Sequence, residues 1–134
     1  MSDLYAFLHP ELPEQKEIVL PRFKNRDGKV VPFVIKPLTA EENEALLKRY
    51  MVKTKDRGRQ IDSAAYQRAL IVAGTVVPDF RDAQLCEAYG VLDPAALVGK
   101  MLLAGESLKL ADEILTISGL DEESAKAEEE EAKN

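Results

Sequence analysis

The chain has 134 residues, 46% of them hydrophobic and 31% charged, with a net charge of −6. That is apolar material for one modest core and too little chain for two full domains. Cys86 and His9 are each alone, which excludes an intrachain disulfide and a zinc site built from cysteines and histidines.

The first residues, Met1 to Pro10, carry no basic stretch followed by a long apolar run, so they do not read as a secretory signal. The longest apolar stretch, Ala69 to Val77, is interrupted by Gly74 and Thr75 and falls short of the roughly 18 residues of a membrane-spanning helix. The expected location is therefore cytosolic, without membrane contact. The acidity is concentrated at one end. From Asp121 onward seven acids face only Lys126 and Lys133, a balance of −5, so residues 1–120 carry the remaining −1.

Residues 1–16 hold Leu4, Tyr5, Phe7 and Leu8 ahead of Pro10 and Pro13, which reads as an irregular arm or one helical turn broken by the prolines. Residues 17–36 follow as a hairpin. Two β-rich runs, Glu17 to Phe23 and Lys29 to Ile35, are joined through Asp27-Gly28, where glycine takes the positive φ of the turn. Pro21 and Pro32 lack ladder donors, so both strands are edges or carry bulges. A lone hairpin is marginal in water, and one face must pack on something else.

Thr39 with an acid three places later spells a capping box for a helix over about 40–53, with Leu46, Leu47, Tyr50 and Met51 on one face. A polar loop from Thr54 to Gln60 leads to Asp62, the N-cap of a central helix over 62–77. A short helix over 82–89 closes at Gly90. Asp93-Pro94 opens another over 94–103, since proline suits the first helical position. A last helix over 106–118 ends at Gly119-Leu120 in a Schellman arrangement. Residues 121–134 have alanine as their only apolar type, so they cannot offset their ordering entropy and are expected to be disordered. The expected architecture is thus α+β: a single domain over 17–120, with the hairpin packed on four to five helices between an arm and an acidic tail.

No catalytic, cofactor-binding or metal site is expected. Gly99-Lys100 lacks the upstream glycine and the hydroxyl residue of a phosphate loop. Glu41, Glu42 and Glu44 sit at a helix start, where the macrodipole accounts for them. The basic run Lys53, Lys55, Arg57 and Arg59 suggests an alternative function, a small nucleic-acid-binding regulatory protein whose loop 53–59 contacts phosphates. It lies on a loop without interleaved aromatics, however, and a solvated turn accounts for it as well. The last two helices hold an apolar excess, with Met101, Leu102, Leu103, Leu108, Leu110 and Ile114 as candidate partner-binding residues. Two readings stand open: these side chains fill the core or a homo-oligomer interface, or some remain exposed as a partner surface.

Several ordered segments carry a resemblance. Pro21-Arg-Phe23, Asp27-Gly28, Pro32-Phe33, Lys36-Pro37-Leu38-Thr39, Tyr66, Val77-Pro78-Asp79, Ala88-Tyr-Gly-Val91, and Met101-Leu-Leu103 with Gly105-Glu106 together resemble the phage tail assembly chaperones typified by XkdN-like proteins. Ala104 and Ser107 depart from the pattern, which has proline before the glycine and an aromatic after the glutamate. The resemblance implies a non-enzymatic protein of the host bacterial cytoplasm. Its implied partner is the phage tape-measure protein, kept soluble until tail-tube subunits, a second implied partner, polymerise around it.

Overall fold

The structure, a computed structural model, describes residues 3–11, 14–56 and 58–120. The acidic stretch 121–134 and Arg57 lie outside the described residues, and so does the expectation of disorder placed on that stretch. The architecture is α+β, a hairpin packed on a helical cluster.

The arm forms a short helix, α1 (Leu4–Leu8), with no buried residue. The hairpin is built around its prolines. β1 (Lys16–Ile18) pairs antiparallel with β2 (Phe33–Ile35), Ile18 facing Phe33. Pro21 then turns the chain, with the Phe23 N–H donating to the Leu20 carbonyl at 3.1 Å. Beyond this turn the two sides meet again at the Lys24–Val30 bridge. Gly28 has φ +79 there, and Asn25 Oδ1 accepts from the N–H groups of Asp27 and Lys29. The paired strands are shorter than the apolar runs because neither proline can donate to a ladder.

Helix α2 (Ala40–Arg49) opens with the complete capping box: Thr39 Oγ1 accepts from the Glu42 N–H at 3.2 Å, and Glu42 Oε1 accepts from the Thr39 N–H at 3.0 Å. It stops at Arg49, earlier than expected. The polar stretch expected as a loop is instead a second hairpin, β3 (Met51–Thr54) with β4 (Gly58–Ile61), in which Lys53 faces Arg59.

The central helix, α3 (Ser63–Gly74), is capped by Asp62 and packs against the other helices through Ala69, Leu70, Ile71 and Val72. It ends at Gly74 rather than at residue 77. Thr75–Val77 is strand β5, antiparallel to β2, so the three-stranded sheet runs β1-β2-β5. Three successive β-branched residues favour the strand over a further helical turn.

α4 (Ala83–Ala88) is capped by Asp82, which the expected range had counted inside the helix, and α5 (Pro94–Met101) carries the expected N-cap, Asp93. α6 (Ala104–Ile117) closes in a Schellman motif, with the Leu120 N–H donating to the Leu115 carbonyl at 2.8 Å and Gly119 at φ +81. The segment from β1 to the Pro21 turn runs antiparallel along α6. It is tied there by Lys16 to Glu113 at 2.6 Å, Lys109 to the Val19 carbonyl at 3.4 Å, and Arg22 to Glu106 at 2.6 Å. The core lies between the sheet and α3, α5 and α6, and Ile35, Ile71, Phe80, Leu97, Leu110 and Ile114 are excluded from solvent.

Candidate functional site

Two groups of residues were candidates for contact with a partner, and the structure sorts them. Of the six apolar residues on the last two helices, Met101, Leu102, Leu110 and Ile114 are buried, with Leu110 and Ile114 at 0% exposure. Leu102, Leu110 and Ile114 belong to the core, and Met101, also buried, lines an open apolar groove. Leu110 lies on the buried stripe of α6 with Ala111 and Ile114. Leu103 and Leu108 stand at the surface, at 58% and 57% exposure.

Among the basic run, Lys53, Lys55 and Arg59 lie on the β3–β4 hairpin, and Lys53 and Arg59 are directly opposed across it. Like charges facing each other across a ladder repel. Both strands are exposed along most of their length, so water screens that repulsion. Arg57, the fourth member, is outside the described residues.

His9 caps α1, stacked on Tyr5 with ring centroids 4.4 Å apart. Cys86 is buried, its thiol donating to the Phe80 carbonyl at 3.4 Å. Among the described residues no group of three or more His, Cys, Asp or Glu side chains is placed to share a metal ion. No helix there is long and apolar enough to cross a membrane.

The most distinctive surface feature is an apolar groove of about 210 Å³ at one end of the sheet. Four parts of the chain build it. The distal hairpin supplies Phe23, Val31, Pro32 and Phe33, the end of β5 supplies Val77 and Pro78, α4 and its cap supply Leu85 and Tyr89, and α5 supplies Met101. Phe23 meets Phe33 edge-on with ring centroids 4.9 Å apart, a favoured aromatic geometry. Val31, Val77 and Tyr89 keep 40–42% of their surface exposed, so the groove is open and its lip is itself apolar.

One polar clamp holds this wall in place. Arg22 donates to both carboxylate oxygens of Glu106, at 3.1 and 2.6 Å, and to the Met101 carbonyl at 2.8 Å. Its guanidinium lies 4.8 Å from the centre of the Phe23 ring. The Arg22 guanidinium is the main reason that the Glu106 carboxyl titrates below the usual carboxylate range. Glu106 Oε1 also accepts from the Leu103 N–H at 2.8 Å, half of a capping box at the start of α6. The clamp thus sets a paired, charge-neutral group beside the apolar groove. The groove is smaller than the roughly 300 Å³ at which small-molecule pockets begin, so it fits one or two large apolar side chains.

The groove was not read from the sequence as a site. Its signal was present in another form, because Phe23, Pro32, Phe33, Val77, Pro78, Tyr89 and Met101 all belong to the segments that carry the family resemblance, and folding brings them together.

The chain is thus a small α+β protein with an open apolar groove. Comparison with known proteins narrows this: residues 4–133 match the family model described as phage XkdN-like tail assembly chaperone protein. The chain belongs to that family. It is 34% identical over 140 residues to the phage-like element PBSX protein XkdN of Bacillus subtilis (strain 168), covering 98% of this chain and 94% of that protein. It is 32% identical to the protein YqbN of the same strain, covering 95% and 91%. A crystal structure of YqbN superposes with a TM-score of 0.71 at 29% identity, over 90% of this chain and 99% of that one.

Proposed function

We propose that this chain binds an apolar helical stripe of its phage's tape-measure protein in the host cytoplasm and keeps it soluble until tail-tube subunits polymerise around it. The action is non-enzymatic. The observation that supports this most is the groove: its lining is apolar, its lip is exposed, and most of its residues come from the segments that identify the family. Leu103, beside the Arg22–Glu106 clamp, adds exposed apolar surface to the same reading.

An amphipathic helix lays side chains at i, i+3, i+4 and i+7 into such a groove. Each fully buried Leu or Phe contributes about 1.5–3 kcal/mol, and association costs on the order of 4–15 kcal/mol. Two anchors in the groove, with a third contact at exposed Leu103, therefore give weak, reversible binding at each site. That is what a chaperone displaced by growing tube requires. Many copies along one long client would together cover what a single copy cannot.

The test is co-expression with the tape-measure protein. The native chain should move the client from the pellet to the soluble fraction. Val31→Asp and Tyr89→Asp, at exposed groove positions, should lose that rescue while keeping a native circular dichroism spectrum. Rescue unchanged by both substitutions would remove the groove from the reading.

A further inference from the structure

The β3–β4 hairpin gathers positive charge that the described residues do not balance. Lys48 near the end of α2, and Lys53 and Arg59 opposed across the ladder, line a cleft of about 460 Å³ together with Met51. The ion pairs among the described residues are Lys16 with Glu113 and Arg22 with Glu106, so none of these three cations is paired there. Lys55 adds a further charge at the turn, beside Asp56. A two-stranded hairpin exposed to water is marginal by itself, and like charges directly opposite weaken it further. An anionic segment laid across the cleft offsets both effects.

We infer that the chain's own acidic segment docks in cis on this cleft, with Glu128 to Glu131 against Lys48, Lys53 and Arg59, and so screens the hairpin from other polyanions. The sequence supplies the complement, because from Asp121 onward seven acids face only Lys126 and Lys133. The four consecutive glutamates are the densest charge in that segment. The inference does not rest on the apolar groove or on its client.

The acidic segment starts within reach. Ser118 Oγ accepts from the Leu38 N–H at 2.9 Å, which puts the end of α6 beside the start of α2. From there α2 carries the chain ten residues to the foot of β3, about 15 Å at 1.5 Å per residue. The four residues of β3 add about 14 Å, so the whole hairpin lies within about 30 Å of that origin. Eight Cα steps from Leu120 to Glu128 extend to about 26–29 Å, and the steps onward to Glu131 to about 36–40 Å. Charge also sorts the segment along this path. Asp121 to Glu123 begin near Glu41 and Glu42 in the first turn of α2, where like charge repels them, and the later glutamates meet the cations. Exposed ion pairs are individually weak, so the tether decides the occupant. A short tether gives an effective concentration of order millimolar, above that of the same segment on another copy in dilute solution.

A nitroxide attached through Asn134→Cys tests the contact in the full-length chain, since the native Cys86 is buried. At low ionic strength its paramagnetic broadening should fall on the backbone amides of residues 51–61. The broadening should be lost at about 1 M salt, where the Debye length is about 3 Å. It should also be lost when Glu128 to Glu131 are all replaced by glutamine, a change that leaves residues 1–120 untouched. Lys53→Gln with Arg59→Gln, at exposed strand positions, should remove it from the other side. Broadening that ignores salt and these substitutions, or that falls on Lys24, Arg26 and Lys29 instead, would overturn the inference. So would broadening that persists when isotope and nitroxide sit on separate chains in one mixture, which would assign the hairpin to another copy. For the screening, a random-sequence DNA duplex at low salt should bind the glutamine variant about tenfold more tightly than the native chain. Lys53→Gln with Arg59→Gln should cancel that gain, and equal affinity of the native and glutamine chains would overturn the screening.

Discussion

Arg22 and Glu106 lie 84 positions apart in the chain and meet in a two-pronged ion pair, with the guanidinium also holding the Met101 carbonyl. The pair joins two segments that the sequence presents separately, Pro21-Arg-Phe and Gly105-Glu, and sets the wall of the groove against the start of α6. It therefore links two of the segments that carry the family resemblance to the open apolar groove.

The pair has a pH signature. Glu106 titrates below its ordinary range because Arg22 donates to it, so the folded state binds this proton less readily than the unfolded state. Its contribution to stability is then fully present above the unfolded carboxylate range and is lost as pH falls through the lowered folded value. Glu42, held down by its bonds with Thr39, acts in the same direction. Glu106→Gln should flatten the acid limb of a plot of urea midpoint against pH while leaving a Glu42 contribution. An unchanged slope would show that the pair contributes nothing to folding.

Gly74 offers a prediction in which two effects oppose. Alanine in a helix is ordinarily favoured over glycine by up to about 1 kcal/mol. Here a Cβ would stand 2.7 Å from Ile114 Cγ2 and 2.8 Å from its Cδ1, and Ile114 is fully buried. Overpacking of a filled core costs about 1–3 kcal/mol, so Gly74→Ala should destabilise. Adding Ile114→Val should recover part of the loss, as a double-mutant cycle by chemical denaturation would show.

Leu103 and Leu110 should separate cleanly. Leu110→Ala removes a side chain with no solvent exposure and should cost about 2–5 kcal/mol. Leu103→Asp, at an exposed position, should change stability by no more than about 0.5 kcal/mol. Thermal melts of the two variants check both halves.

The capping box at α2 supplies a further number. Thr39→Ala removes an acceptor from the Glu42 N–H and should cost about 1 kcal/mol. The same substitution should raise the Glu42 titration only in part, since the backbone N–H of residue 39, the first cause that lowers it, is kept in alanine and only the side-chain bond is lost; carboxyl chemical shifts followed against pH would show this.

Local chemistry was legible in the sequence wherever one residue type does a defined job. Thr39, Asp62 and Asp93 start helices, and Gly90 and Gly119 end them at positive φ, at the expected positions. The strand β5 was hidden because Ala69 to Val77 is apolar throughout most of its length, and neither helical nor strand period shows in such a run. Only its partner β2 decides the outcome. The β3–β4 hairpin was hidden because polar strands exposed on both sides lack the alternation that marks a half-buried one. Phe80, completely buried, stood between Asp79 and Arg81 in what read as a linker. The groove was illegible for a different reason: its residues come from four separated parts of the chain, and no spacing rule brings Phe23, Val77, Tyr89 and Met101 together.

The central claim, that the groove receives an apolar helix of the tape-measure protein, is tested most directly by site-specific photo-crosslinking. A photoreactive side chain at position 31, at the groove lip, is compared with one at position 52 on the exposed β3–β4 hairpin, each in a full-length chain co-expressed with the tape-measure protein. The account predicts a crosslinked adduct from position 31 whose tape-measure peptide carries apolar residues at helical spacing, with little adduct from position 52. Strong crosslinking from position 52 with none from position 31 would contradict it.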